Sequence, residues 1–238
     1  MLDNTHIYEN ENYYRTQEPY LLDLVNAGSI PVRTLSYFDL FAKRSLDIVG
    51  SIVGLFLFGL FAALLYIPYR FGGNKGPLLY KQTRYGKNGK IFQIYKFRTM
   101  IVGAEEVLKN DPKLWAEYQR NGNKLENDPR VTKLGHLLRV LSIDELPQFI
   151  NVFKGEMSLV GPRPILEIEL KEYGEKLEYL LMAKPGLTGY WTTHGRSKIL
   201  FPDRADMELK YLEMRGTGYD LWLIARTVVQ IFVADDSY

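Results

Sequence analysis

The stretch "IVGSIVGLFLFGLFAALLYIPY", Ile48 to Tyr69, carries no charge, and a run of about 20 apolar residues is the length at which a helix crosses a bilayer. A crossing anchor is the commoner outcome for such a run, and a buried core helix the rarer one. Gly50, Gly54 and Gly59 interrupt it and Pro68 lies near its end, which allows either a packed small-residue face or a bend. Lys43 and Arg44 precede the run, and Arg70, Lys75, Lys81, Arg84, Lys87 and Lys90 follow it. Cations favour the cytoplasmic side. Basic flanks at both ends therefore frustrate a straight crossing, and a helix that enters, bends and leaves by the same face relieves the frustration. Length alone keeps the crossing ahead.

The whole chain, 238 residues, has room for one sizeable domain or one domain with an appendage. A net charge of +2 is too mild to point to nucleic acid. The absence of cysteine excludes disulfides, thiolate zinc sites and cysteine nucleophiles. His6, His136 and His194 are scattered, which argues against a histidine metal cage. A metal here is expected to be a hard cation on carboxylate oxygen. The first residues, "MLDNTHIYENENYYRTQEPY", lack the basic flank and apolar core of a signal peptide. Residues 1–42 form a polar extension in which "PYLLDLVNAG" has the pattern of a short amphipathic helix.

After the apolar run, Leu79 to Arg84 and Ile91 to Arg98 alternate like strands around the turn signal Asn88-Gly89, a hairpin. Between Gly72 and Thr99 stand seven Lys or Arg and no acid, either a solvated or lipid-facing basic hairpin or a phosphate-binding wall. "IVGAEEVLKNDPKLWAEYQRNG" reads as a helix interrupted before Pro112, and "DPRVTKLGHLLRVLS" as a helix with Leu134, Leu137, Leu138 and Leu141 on its apolar side. "ILEIELKEYGEKLEYLLMA" is helical up to Lys184-Pro185-Gly186. Near the end, "YDLWLIARTVVQIFV" sets Leu221, Trp222, Ala225, Val228, Val229 and Phe232 on one face, expected in the core in preference to the headgroup layer.

The chemistry concentrates in "LSIDELPQFINVFKGEMSLVGPRP", Leu141 to Pro164. Pro147 favours a helix start near Leu146, with Asp144 and Glu145 at or just before it. Ser142 with Glu145 also spells a capping box, and acids at helix starts are routine, so capping is the commoner reading of the spacing. The alternative is chemical. Two adjacent carboxylates suit Mg²⁺, which takes one or two of them plus water and substrate phosphate, and a carboxylate can attack phosphorus to form an acyl phosphate. Arg130, Arg139 and Arg163 join the hairpin cations as candidates to offset phosphate charge. Arg163 stands between two prolines that restrict its backbone, and a rigid surface turn is an equal reading.

In order, "AKRSLD", the apolar run, "GPLLYKQTRYGKNGKIFQIYKFRTM", "NDPRVTKLGHLLRVLSIDELPQFINVFKGEMSLVGPRP" and "KPGLTGYWTTHGRS" resemble the bacterial monotopic phosphoglycosyl transferases, which prime capsule, exopolysaccharide or O-antigen assembly. The resemblance covers residues 43 to about 233 and implies an α+β, mainly helical membrane-associated catalytic domain with a small β-hairpin. Residues 43–70 would form a re-entrant membrane helix and residues 71–238 the catalytic part, at the cytoplasmic face of the bacterial inner membrane. The implied reaction moves a sugar 1-phosphate from a UDP-sugar, expected to be a hexose, to undecaprenyl phosphate with Mg²⁺, releasing UMP. Membrane lipids are implied partners, nucleic acid is not, and a homodimer is left open. Asp144 matches the family's nucleophile and Glu145 its partner in Mg²⁺ binding. Lys96, Arg98, Arg139 and Arg163 match basic positions carried over as phosphate contacts, Lys184 opens the family's Lys-Pro-Gly segment, and Arg196 matches a Gly-Arg pair tied to the nucleotide-sugar end. Gly59-Leu60 stand where the family has Ser-Pro, so a bend would fall to Gly59. Thr192 stands where it has Gln, so donor identity is not carried over.

Overall fold

A computed structural model of the protein describes residues 31–120, 125, 127–195, 199 and 201–233; the helix expected in "PYLLDLVNAG" lies outside them. The apolar run forms helix α1, Tyr37–Tyr66, which starts six residues ahead of the expected boundary at 43. The cause is local. Ser36 Oγ accepts the Asp39 N–H at 3.1 Å while the Asp39 carboxylate accepts the Ser36 N–H, a reciprocal cap that starts the helix here. Asp39 also accepts from the Thr217 N–H and hydroxyl, tying this start to the last helix.

The helix is continuous through Gly59, where a side chain would meet nothing, and no break falls there. The chain turns instead at Ile67, where Pro68 opens the 3-10 turn Pro68–Arg70. A glycine inside a helix costs only about 1 kcal/mol, whereas proline removes a donor and suits a first turn. One side of α1 buries Asp47, Ser51, Gly54 and Leu65 against the body of the protein, and the other exposes Val49, Ile52, Val53, Phe56, Leu60 and Leu64. The glycines serve the packed side. A Cβ on Gly54 would stand 2.2 Å from the Phe149 ring, and one on Gly50 2.6 Å from Leu159 Cδ1.

Strand β1, Leu79–Tyr85, pairs antiparallel with β2, Ile91–Phe97, in a register running from Leu79 opposite Phe97 to Tyr85 opposite Ile91. Asn88 closes the hairpin at φ 57°, the left-handed conformation that Asn tolerates. Helices α2, Ala104–Asn110, and α3, Pro112–Arg120, break at Asp111, whose Oδ1 accepts the N–H groups of Lys113 and Leu114. Helix α4, Lys133–Val140, is capped by Thr132 and followed by the 3-10 turn Ile143–Gln148 and α5, Phe149–Lys154. Of the apolar side expected for α4, Leu138 is buried while Leu137 and Leu141 are half exposed.

Strand β3, Ser158–Val160, runs parallel to β4, Gly186–Thr188. The helix expected between them divides at Gly174, which takes φ 51°, into α6, Leu170–Tyr173, and α7, Lys176–Leu180. Helices α8, Tyr190–His194, α9, Asp203–Met214, and α10, Thr217–Val233, complete the described fold. On α10 the expected core face is wrong. Leu221, Trp222, Val228 and Val229 are exposed and Leu223 is fully buried, because the helix is apolar on two sides and periodicity does not say which one meets protein. The side chain of Phe232 lies outside the described residues.

Gly54→Leu is expected to lower the thermal midpoint, since the new side chain must displace the Phe149 ring and overpacking of this kind costs about 1–3 kcal/mol. Gly59→Leu, placed in open space, should leave it near wild type. Equal midpoints for the two variants in a detergent melting assay would contradict the packed-face assignment.

Candidate active site

The Asp144-Glu145 pair sits inside the first turn of Ile143–Gln148, and not ahead of a helix starting at Leu146. Pro147 has no N–H to bond the Ile143 carbonyl, so this stretch stays a tight 3-10 turn and the α-helix begins two residues later. Ser142 enters at φ 55° with no side-chain cap, so the capping box that the spacing spells is not formed.

Asp144 is buried, and its Oδ1 is a buried oxygen without a hydrogen-bond partner among the described residues. Burial pushes its carboxyl up from 3.8 to about 6; Lys96 pulls it down, Glu145 pushes it up and Arg139 pulls it down. A carboxylate in such a place is poised between charge states near neutrality, a common signature of reacting groups. Glu145 is more open and pairs with Lys96 at 2.7 Å. Arg139 donates from Nε to Thr99 Oγ1 at 2.9 Å. Thus Asp144, Glu145, Lys96 and Arg139 are brought together by the 3-10 turn, β2 and α4.

The other residues singled out in the sequence lie elsewhere. Arg98 is buried and donates to the carbonyls of Pro77, Met100 and Asn74, with its guanidinium over the Tyr69 ring. Its capacity for phosphate is largely taken by main chain. Arg163 donates its N–H to Glu208 Oε2 at 3.0 Å and stacks its guanidinium 5.4 Å from the Trp191 ring. Lys184 lies beside Arg44 and Gly155, and Arg196 falls outside the described residues. Arg130 is paired with Asp128 at 2.6 Å.

Arg84 was legible only as one of seven hairpin cations, yet it joins two parts of the site. It is buried, donating to the Pro164 carbonyl and to Gln82 Oε1, each at 2.8 Å. Burial and the neighbouring Arg163 push its pKa down to about 10, with Arg204 adding to them and Glu169 and Glu145 opposing. Beyond it, Arg204 stacks 4.7 Å over Trp191 and pairs with Glu169 at 3.0 Å. Glu208 is fully buried, and burial raises its carboxyl to about 7 against the pull of Arg204 and Arg163. No spacing rule marks these residues, because α8, α9 and the turn after β3 bring them together only in the folded chain.

Among the described residues no group of three or more His, Cys, Asp or Glu gathers as a metal cage. Two carboxylates, one with an orphaned buried oxygen, suit a cation that completes its shell with water and substrate phosphate, as Mg²⁺ does.

A long apolar helix laid on a small α+β body, with a buried aspartate ringed by cations, agrees with the family that the chain matches. Residues 38–234 match the model of the bacterial sugar transferases, and the chain belongs to that family. It is 41% identical over 202 residues to the undecaprenyl-phosphate galactose phosphotransferase of Salmonella typhimurium, a match covering 83% of this chain and 42% of that protein. It is 38% identical over 201 residues to the exopolysaccharide production protein ExoY of Rhizobium meliloti, covering 83% of this chain and 88% of that one. The UDP-glucose:undecaprenyl-phosphate glucose-1-phosphate transferase of Escherichia coli is 35% identical over 204 residues, covering 82% and 41%. The chain therefore spans less than half the length of the Salmonella and E. coli relatives.

The position of Asp144 has a measurable cost. Its folded pKa, about 6, stands above the ordinary aspartate value of 3.8, so folding favours the protonated form. That contribution is complete below about pH 4 and is lost as pH rises to about 6 and beyond, by about 3 kcal/mol for a shift of about two pKa units. Asp144→Asn is expected to raise the thermal midpoint of the metal-free protein at pH 8, with the gain shrinking toward zero at pH 4. A variant no more stable than wild type at pH 8 would contradict this burial cost.

Proposed function

We propose that this protein transfers a sugar 1-phosphate from a UDP-sugar to undecaprenyl phosphate through a covalent intermediate on Asp144, the priming step of a cell-surface polysaccharide. The observation that carries the reading is the buried, partnerless Asp144 oxygen beside the Glu145–Lys96 pair. The names of the Salmonella and E. coli relatives support the acceptor class, and the E. coli name the donor class.

In this mechanism an oxygen of ionised Asp144 attacks the β-phosphorus of the donor. The new acyl–O–P bond forms as the bond from that phosphorus to the bridging oxygen breaks, and UMP leaves with the electron pair. An oxygen of the lipid phosphate then attacks the same phosphorus, and Asp144 leaves as carboxylate. Lys96 and Arg139, the cations that act on Asp144, offset the charge of the two approaching anions. Arg84, which feels the charges of both Glu145 and Arg163, adds to this positive field. The carboxylates of Asp144 and Glu145 would hold Mg²⁺, which supplies neutralisation of the diphosphate. Thr192, where the resembling family has Gln, leaves the sugar a matter for assay; a hexose is the working expectation.

The reading includes a topology in which α1 enters and leaves by the cytoplasmic face of the inner membrane. It is supported by attachment of the helix to the body along its length. Lys43 pairs with Asp220 near the start, Gly54 meets Phe149 midway, and Leu65 packs with Phe97 and Leu138 near the end. Attachment along the length of the helix favours this topology over a helix that projects from the body across a bilayer.

Two experiments test these proposals. Incubated with a UDP-sugar labelled in the sugar and without acceptor lipid, the protein should retain denaturation-stable label and release UMP, while Asp144→Asn should retain none. Label retained by that variant would end the covalent mechanism. Because the chain has no cysteine, Thr34→Cys and Lys75→Cys each give a single thiol. Both should react with an impermeant maleimide only after the cells are opened, and labelling of either one in intact cells would exclude the re-entrant topology.

A further inference from the structure

Lys184 does not join the cations around Asp144. The groups that act on it are Arg44, Asp47, Lys87 and Lys43, whereas those acting on Asp144 are Lys96, Glu145 and Arg139. The two sets share no member. Within the Lys184 set the charges are unequally engaged. Lys43 is spent on Asp220 at 2.6 Å and on the Val160 carbonyl at 2.8 Å. Asp47, the acid of the set, is buried with its Oδ1 accepting from Ser158 Oγ and from the Leu159 N–H, each at 2.8 Å. Arg44 gives two of its five N–H donors to the carbonyls of Val152 and Phe153, at 3.0 Å each.

Lys184 itself is half-buried and makes no hydrogen bond or ion pair among the described residues. Its amine and the Arg44 guanidinium converge. Lys184 Nζ lies 3.4 Å, and Arg44 Nη2 3.6 Å, from the point at which a side chain on Gly155 would begin. Gly155 leaves that point empty, and its φ of 81° is a conformation other residues rarely take. Burial and the charge of Arg44 push the Lys184 amine down, Asp47 opposes, and Lys87 and Lys43 add to the depression. An amine held half-buried among like charges is stabilised by an arriving anion.

The surroundings indicate what carries that anion. Lys43 and Arg44 stand on α1 next to Phe38 and Phe41, both exposed, and the exposed Val49, Ile52, Val53 and Phe56 follow along the helix. Phe153, which lends its carbonyl to Arg44, is half exposed. A phosphate on a lipid tail meets both requirements, charge at the helix base and apolar contact along the helix. A phosphate monoester ends its chain and can approach both cations over Gly155, where no side chain stands. A phospholipid diester is flanked by ester groups on both sides and presents fewer free oxygens to the two cations.

We propose that Lys184 and Arg44 form a capture seat for the phosphate monoester of the acceptor lipid, separate from the reacting position at Asp144. The seat rests on the function proposed above for the identity of its ligand, but it is tested by binding alone, without a UDP-sugar or turnover. Failure of Asp144 to form an intermediate would leave the binding result intact.

The full-length protein in neutral detergent is titrated with farnesyl phosphate, with farnesol and with inorganic phosphate, and separately partitioned onto phosphatidylglycerol vesicles. Removing one charge-assisted hydrogen bond, about 1.5–3 kcal/mol, corresponds to at least a roughly 10-fold change in affinity. Lys184→Gln is therefore expected to weaken farnesyl phosphate binding ~10-fold or more, and the charge-conserving Lys184→Arg to restore most of it. Farnesol binding and vesicle partitioning should be the same in all three proteins, and unchanged far-ultraviolet circular dichroism checks the fold. Unaltered farnesyl phosphate binding in Lys184→Gln overturns the seat. An equal loss on phosphatidylglycerol vesicles, or full displacement of farnesyl phosphate by inorganic phosphate at the same concentration, overturns its assignment to a lipid monoester.

Discussion

The ion pair between Lys43 and Asp220 is the joint on which the described fold depends. Lys43 Nζ donates to Asp220 at 2.6 Å, to the Val160 carbonyl and to Tyr211 Oη, and the Tyr211 hydroxyl lies within bonding range of Asp220 and Val160. One lysine thus joins α1, β3, α9 and α10. Removing one member of a buried pair of this kind typically costs about 3–5 kcal/mol, because the other charge is left uncompensated. One turn further on, Asp47 accepts from Ser158 and Leu159, so the same face of α1 is held twice by polar bonds before its apolar part begins. Those two attachments set the line along which Gly50, Gly54, Phe58 and Leu65 then meet the body.

That line ends at the reacting site. Leu65 and Tyr69 pack with Phe97 and Leu138, and Ile143 and Leu146 of the Asp-Glu turn lie against the same cluster. The Tyr69 hydroxyl donates to the Arg98 carbonyl, and Arg98 fixes the carbonyls on either side of the hairpin exit. Asp144 therefore sits, buried, in a turn that packs against the end of the apolar helix. The placement of the apolar helix and the raised carboxyl pKa are two results of one packing arrangement. Local instability at Asp144 is tolerated because α1 is held at its other end, by bonds that do not involve the site.

Much of this was legible in sequence where a single residue type forces the backbone. Pro112 after Asp111 divided α2 from α3, and Asn88-Gly89 closed the hairpin. The carboxylate pair and its cations could be named because their motifs run in a known order. Other features depended on which of two chemically similar faces meets protein. Leu221, Trp222, Val228 and Val229 have the periodicity of a core stripe, and so does the side of α10 that carries Leu223 and Ile224; only the partners of the helix distinguish them. Gly59 stands where the resembling family has Ser-Pro, but a glycine permits a bend without requiring one, and the helix ends only just before Pro68. Glu208 is four residues past Arg204 in an ordinary amphipathic helix, with no local mark of its burial.

The cations show most clearly why a list of charged residues is not yet a binding site. The sequence offers Lys96, Arg98, Arg139 and Arg163 as phosphate contacts and Lys184 as the start of the Lys-Pro-Gly segment, with nothing to rank their free donors. In the fold they differ by how many of their donors are already used. Arg98 directs three of five N–H groups to main-chain carbonyls and is part of the scaffold. Lys96 is held by Glu145, an exchangeable pair in which an arriving phosphate competes with a carboxylate for the same ammonium. Lys184 has its amine unpaired among the described residues and pressed by like charges. Affinity for an anion follows the donor capacity left after folding, together with the cost of the repulsion that the anion relieves. On that measure the strongest phosphate ligand need not be the residue nearest the reacting carboxylate, and capture and chemistry can be assigned to different cations.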